Sequence, residues 1–522
     1  MTLMLTLGTA AFGAQKTLPS GKDTGSINVT NLKPGDTVTA YQFVKADYNE
    51  YGFTGYSAIN NYVKDPVAPT AQEVIDMASN AVTMTVAAEK KVATGDTEVT
   101  LNGLPVGYYL VMVTSGSETV YSPMIAGIYY SKSATDNTLT NGAISADSDF
   151  EIKAQKCWAK SSTPKLEKTI VTPSSKNSKG DDIAIGDKIT FNLSATVPSY
   201  SKEYKKVTYK IYDIMSEGLD YVDGSMKCFI EKYENNRENI KVAPKVNGGI
   251  IEITFDSKFI LEHPGQKIQV EYQAKLNEKA GVNFDANINK AYLEYSNNPA
   301  SGSTAKTGED KVYVYTFGID SNLFGKSTEK WNEKTKELIK VEEGEYQWVE
   351  TEKESGIFTT TTALEGATFT LTNNKTKKSY TATSDKYGYL KFTGLDAGEY
   401  TLQETDAPDG FTLNDAKHTV VITAEYNQDG TLKSYTIKID DKATSTYTAT
   451  YDKGVIKTIT STKDSQGNIS ESAILKNSKM SFLPSTGGVG TTIFAIVGVV
   501  FVAVALGLHM ILRGKSKLEQ DR

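Results

Sequence analysis

Three rows of alternating residues could bring an amine, an acid and an amide into one nonpolar interior. Leu166, Lys168 and Ile170 fall on one face of an extended segment, because residues two apart in a strand share a face. Val207, Tyr209, Ile211 and Asp213 form a second row, with Asp213 at its end. Asn289, Ala291, Leu293 and Tyr295 form a third. A carboxylate on an apolar face is costly, so burial raises its pKa and keeps it protonated. A buried lysine is pushed the other way, toward a neutral amine, which is a nucleophile. A protonated acid can polarise an amide carbonyl and move protons while ammonia leaves. Spacing alone leaves open a plainer arrangement in which all three residues face water.

A second acid stands in a similar row: Tyr400, Leu402 and Glu404 share a face. Further on, Ala473, Leu475 and Asn477 do the same, and Lys326 shares parity with Phe324. Rows of this kind need β-sandwiches to position them. The chain between its ends supplies them, in short alternating runs of Thr, Val, Tyr and Ile broken by Gly, Asn and Asp. Tyrosine, with 30 residues, suits half-buried strand positions. One helix is predicted to begin at Thr70, where Thr70 and Glu73 form a capping-box pattern ahead of Val74, Ile75, Met77 and Ala78. Gly103-Leu104-Pro105-Val106-Gly107-Tyr108-Tyr109-Leu110 parallels Gly394-Leu395-Asp396-Ala397-Gly398-Glu399-Tyr400-Thr401-Leu402, each a tight turn feeding a strand. A chain of 522 residues suggests about three domains. Polar, turn-rich stretches at 160–164 and 297–308 divide it into modules at 15–160, 161–310 and 311–482.

Composition excludes several functions. A net charge of −7 argues against nucleic acid as a partner. Three histidines, His263, His418 and His509, offer no metal-ligand spacing, so no metal or cofactor is expected. Cys157 and Cys228 could pair in an exported protein or remain as two free thiols. Residues 1–14 are apolar and end in small residues, like the back half of a signal peptide without its basic start; a core strand is the alternative. Near the other end stands Leu483-Pro484-Ser485-Thr486-Gly487, of the form LPxTG. An apolar run at 491–512 follows, long enough at about 20 residues to cross a bilayer. Basic residues in the tail at 513–522 would hold the C-terminus in the cytoplasm.

The order of pentapeptide, span and basic tail resembles the cell-wall sorting signal of Gram-positive surface proteins. That resemblance implies cleavage by a sortase between Thr486 and Gly487, with the Thr486 carbonyl passed to an amine. Ala363-Leu364-Glu365-Gly366-Ala367-Thr368-Phe369, and the run from Gly398 through Glu404-Thr405-Asp406-Ala407-Pro408-Asp409-Gly410-Phe411, resemble the collagen-adhesin B-type (CnaB) domain of pilins. In that family the acid at the place of Glu404 promotes an amide bond between a lysine and an asparagine. The resemblance implies Asn477 as the amide and Lys326 as the amine, with Lys330 and Lys340 as alternatives. The family usually places this lysine nearer Leu323, and a polar insertion at 327–360 blurs the register.

Ile185-Gly186-Asp187 and Met215-Ser216-Glu217-Gly218-Leu219 resemble the second domain of pilus backbone subunits. This makes Lys168 and Asn289 the expected crosslinked pair and Asp213 the promoting acid. Tyr108-Tyr109-Leu110-Val111 and Tyr121-Ser122-Pro123-Met124-Ile125 resemble the first domain, where no internal bond is expected. The acceptor lysine of such subunits often stands in Tyr-Pro-Lys. Here the place reads Cys157-Trp158-Ala159-Lys160, which keeps the aromatic and the lysine but not the proline. Lys160 is the expected acceptor, with Lys156 and Lys165 as alternatives.

The expected fold is all-β: tandem immunoglobulin-like, CnaB-type sandwiches plus a C-terminal transmembrane helix. The expected function is a wall-anchored shaft subunit of a surface pilus, whose precursor sits in the plasma membrane. Its expected partners are a class C and a housekeeping sortase, identical subunits head to tail, accessory pilins, peptidoglycan and host surface ligands. The alternative is a monomeric wall-anchored adhesin or minor pilin that binds a host ligand. No enzyme activity is expected beyond the single-turnover formation of its own bonds.

Overall fold

The computed structural model describes residues 18–479, apart from 117, 132–141, 145–149, 172, 174–176, 234–235, 320–323, 329–335, 343–344, 352–357, 363, 387, 389, 441–442 and 463–472. The expected signal segment, the LPxTG motif, the apolar run and the tail lie outside the described residues. Among the described residues no helix is long and apolar enough to cross a membrane.

The described residues are almost entirely β, with two short α-helices and one 3-10 turn. The alternating rows become strands with one dry face: in Tyr209–Met215 every second residue is buried, and in Leu166–Ile170 the buried positions are Leu166, Lys168 and Ile170. The first group of sheets packs Thr24–Thr30, flanked by Glu98–Pro105 and Cys157–Trp158, against a larger sheet built on Thr37–Asn49, Gly107–Thr114 and Met124–Ser131. Ile27, Val38, Tyr109, Val111 and Ile128 lie in its core. The helix predicted at Thr70 forms over Ala71–Ser79, and both halves of the capping box are made. Glu73 N donates to Thr70 Oγ1 at 3.2 Å and Thr70 N donates to Glu73 Oε2 at 2.8 Å.

The repeated turn also has a physical basis. Gly103 and Gly394 adopt φ of +71° and +78°, a left-handed conformation that favours glycine. Six residues after each, a tyrosine hydroxyl turns back to the carbonyl four positions earlier. Tyr109 donates to Pro105 at 2.5 Å and Tyr400 to Asp396 at 2.8 Å. Each phenol thus caps a corner while its ring fills a core.

The middle sandwich has two facing sheets. One orders Leu166–Ile170, Lys188–Thr196, Lys267–Leu276, Lys227–Tyr233 and Asn236–Ile240. The other orders Gly180–Asp182, Asp310–Tyr315, Asn287–Asn298, Tyr209–Met215, Ile250–Thr254 and Lys245–Asn247. Asp310–Tyr315 serves two cores at once: Val312 and Val314 point into the middle one, Tyr313 and Tyr315 into the next. The expected boundary at 310/311 therefore falls at the head of a strand that still completes the middle sandwich. The turn-rich stretch before it marks a hairpin, Asn287–Asn298 with Ser303–Lys306, rather than the change of core. A seven-stranded sheet from Thr368–Asn373 to Val455–Thr462 dominates the last group.

The middle and last groups meet closely. A Cβ on Gly180 would lie 2.2 Å from the carbonyl oxygen of Gly430, so the backbones touch there. Asp182 is buried in this joint, accepting from the amide of Ala397 and, at 2.6 Å, from the hydroxyl of Tyr426. Burial pushes the Asp182 carboxyl up to about 6, helped by Asp181 and Asp396 and opposed by those two hydrogen bonds. The folded chain thus holds this proton where the unfolded chain has lost it. The resulting stability is complete below the ordinary aspartate range and disappears as pH rises through about 6. Asp182→Asn, which cannot ionise, is expected to flatten that decline in thermal unfolding measured from about pH 4 to about pH 7.

Candidate functional site

Lys168, Asp213 and Asn289 are each fully buried and converge inside the middle sandwich. Lys168 comes from the edge strand Leu166–Ile170, where it stands opposite Leu193. Asp213 and Asn289 come from the facing sheet, on adjacent antiparallel strands. Asp213 stands opposite Ala291 and Met215 opposite Asn289, so acid and amide share a face two positions apart. The Lys168 amine contacts Asp213 Oδ2 in an ion-pair geometry. It also donates to the hydroxyl of Tyr272 at 3.2 Å, and Asn289 Nδ2 donates to that same hydroxyl at 2.7 Å. Nonpolar faces close the pocket: the amine lies 5.0 Å from the ring centre of Phe191 and 5.3 Å from that of Tyr272.

Electrostatics favour the reactive protonation states. Burial lowers the pKa of the Lys168 amine, against the attraction of Asp213. Burial raises that of Asp213, against the attraction of Lys168. Both shifts favour a neutral pair, with the proton on the acid and a free electron pair on the amine. Two buried acceptors, Asp213 Oδ1 and Asn289 Oδ1, lack a hydrogen-bond partner. A proton held by Asp213 and shared with the amide oxygen would satisfy both, and it would polarise the carbonyl an amine attacks.

The lysine backbone is also held. Lys168 N donates to Asp310 Oδ2 at 2.7 Å, and Lys179 Nζ donates to Lys168 O at 2.6 Å. Lys179 and Asp310 close the ring with their own 2.6 Å contact. These side chains occupy the open edge of the strand, where a neighbouring strand would otherwise pair. Breaking this clamp with Lys179→Met is expected to slow any reaction of the Lys168 amine several-fold without unfolding the chain, as time-resolved intact mass would show.

Tyr272 escaped the sequence analysis. Its strand, Lys267–Leu276, buries Val270, Tyr272, Ala274 and Leu276 in phase. A tyrosine as the polar member of such a row was the signal available.

In the last group, Glu404 is buried in phase with Tyr400 and Leu402, and its Oε2 accepts from Asn414 N at 2.8 Å. Phe324–Thr328 pairs in parallel with Ala473–Lys479, placing Lys326 opposite Leu475 and Thr328 opposite Asn477. Lys326 and Asn477 thus stand on neighbouring strands two positions apart, beside Leu475, which is buried in the same core as Tyr400 and Leu402. Lys340 pairs with Tyr346 in a different sheet, and Lys330 lies outside the described residues.

Cys157 and Cys228 are free thiols buried in separate cores, so the disulfide left open by the sequence is not formed. Each fills apolar space as a small hydrophobe, and burial pushes both thiols up to about 11. Lys160, Lys156 and Lys165 are all exposed. Around Lys160 the backbone is pinned: Ala159 N donates to Thr30 O and Ser122 N donates to Lys160 O, both at 3.0 Å. The neighbouring Trp158 is 70% exposed.

Residues 22–161 match the T6 antigen Ig like domain, residues 347–436 the SpaA prealbumin-like fold domain, and residues 476–517 the LPXTG cell wall anchor motif. The chain is 26% identical to the trypsin-resistant surface T6 protein of Streptococcus pyogenes serotype M6, over 95% of this chain and 96% of that protein. In fold it is similar to the T6 backbone pilin of serotype M6 Streptococcus pyogenes, with a TM-score of 0.57 and 20% identity over 89% of this chain and 100% of that one. The major pilin SpaD from Corynebacterium diphtheriae superposes more loosely, with a TM-score of 0.48 and 16% identity over 89% and 99% of the two chains. The three matched segments and the likeness along its length support a backbone subunit of a Gram-positive sortase-assembled pilus.

Proposed function

We propose that this chain is the shaft subunit of a cell-surface pilus, polymerised by a class C sortase and strengthened by amide bonds between its own side chains. The sortase joins the Thr486 carbonyl to the exposed Lys160 amine of the next subunit. A housekeeping sortase then ties the finished fibre to peptidoglycan, with accessory pilins at its ends. The chain is a structural subunit; its only chemistry is performed once, on itself.

In the middle sandwich that chemistry joins Lys168 Nζ to Asn289 Cγ. The neutral amine attacks the amide carbon, Asp213 lends its proton to the carbonyl oxygen, and ammonia leaves. The observation that carries this reading is the convergence of three fully buried groups, amine, acid and amide, with amine and amide held on one phenol. Lys326, Asn477 and Glu404 are proposed to form the corresponding bond in the last sandwich.

Intact mass tests the reading. Each bond lowers the mass of the exported chain by about 17 Da, the ammonia lost in nucleophilic substitution at the amide. Asp213→Ala and Glu404→Ala are each expected to restore one such loss. A wild-type chain of full calculated mass would reject both bonds.

A further inference from the structure

We propose that Tyr272 is a catalytic residue of the crosslinking reaction, its phenol carrying a proton from the attacking Lys168 nitrogen to the departing Asn289 nitrogen. This rests on the Lys168–Asn289 bond proposed above and adds a step that the three expected groups leave unassigned. The neutral amine enters with two protons on Nζ and ends with one, on the new amide. Asn289 Nδ2 begins with two and departs as ammonia with three. One proton must therefore cross from Nζ to Nδ2 inside a sealed interior.

The Tyr272 oxygen lies between those two atoms, 3.2 Å from one and 2.7 Å from the other. As Nζ–Cγ forms, the phenol oxygen takes the Nζ proton and gives its own to Nδ2. As Cγ–Nδ2 breaks, ammonia leaves and the phenol is restored. Asp213 retains the other task, lending a proton to Oδ1 and recovering it when the carbonyl reforms. The Tyr272 hydroxyl is also hydrogen-bonded to Asp213, so the acid that serves the oxygen and the phenol that serves the nitrogens form one connected proton network.

Tyr272 is built to stay in place. It is fully buried and stands opposite Phe191 across the sheet, with ring centres 5.6 Å apart. The ring of Tyr221 lies 5.9 Å away on the same sheet. Burial holds the phenol well above its ordinary pKa. It therefore remains a neutral hydroxyl, able to accept one proton while releasing another, rather than a trapped phenolate.

The test follows the full-length chain during cell-free synthesis, measuring over time the branched peptide that joins the Lys168 and Asn289 segments. Tyr272→Phe keeps the ring and is expected to slow its appearance by about 100-fold or more, the usual worth of a positioned proton donor. Circular dichroism checks that the variant folds. Replacing Tyr272 with 3,5-difluorotyrosine, which keeps the hydroxyl but makes it more acidic, is expected to shift the rate measurably. A merely structural hydroxyl would not respond in that way. Wild-type rates in both variants would overturn the relay while leaving the bond intact. A wild-type chain that never yields the branched peptide would instead remove the bond itself, and the relay with it.

Discussion

Lys168→Ala is expected to unfold in the middle sandwich about 10–20 °C below the wild-type chain, the largest stability change any single substitution here should cause. The bond to Asn289 closes a loop of about 120 residues, and by analogy with a disulfide its effect on the unfolded chain is about 4–5 kcal/mol. That is close to the lower end of the whole stability of a small domain. Little of the loss arises from a stranded charge, because burial already favours the protonated form of Asp213. Asn289→Ala and Asp213→Ala, which remove the bond by other means, should fall by similar amounts. Combining any two should add little, since one tie can be lost only once. Scanning calorimetry of the three single variants and one double variant checks this. Three unequal losses that sum would indicate separate noncovalent contacts.

The second large effect concerns assembly. Lys160→Ala is expected to convert the high-molecular-weight ladder of wall extracts into a monomer band, while Lys156→Ala and Lys165→Ala leave it in place. All three amines are exposed, so accessibility does not choose among them. The choice of Lys160 rests on its place in Cys157-Trp158-Ala159-Lys160, and hydrogen bonds at Ala159 N and Lys160 O hold the backbone there. An acceptor presented from a fixed backbone loses less entropy when an enzyme holds it. Immunoblots of wall extracts from cells expressing each variant give the answer. A persistent ladder in Lys160→Ala would move the acceptor elsewhere.

Much of this was legible because strand parity is simple. Alternation put Lys168, Asp213, Asn289 and Glu404 in phase with apolar residues, the resemblance to pilin domains favoured the dry face over the wet one, and all four are buried. The capping box at Thr70 was equally plain, since its signal is local. Parity cannot say which strands face each other. It therefore gave no account of Tyr272, whose part depends on the Lys267–Leu276 strand lying beneath both nitrogens. Nor could it show that Asp310–Tyr315 feeds two cores, because a strand buried on both faces loses its alternation. Asp182 was hidden for a related reason: its partners Ala397 and Tyr426 lie more than 200 positions along the chain. The cysteines illustrate the opposite limit, since composition permitted a pairing that their separate cores do not make.

The central claim is a covalent link between two side chains that the fold buries together. Tandem mass spectrometry of a protease digest of the exported chain tests it most directly. The account predicts one branched species joining the peptides that contain Lys168 and Asn289, lighter than their sum by a single ammonia. Quantitative recovery of both peptides as separate linear species, each at its calculated mass, would contradict it.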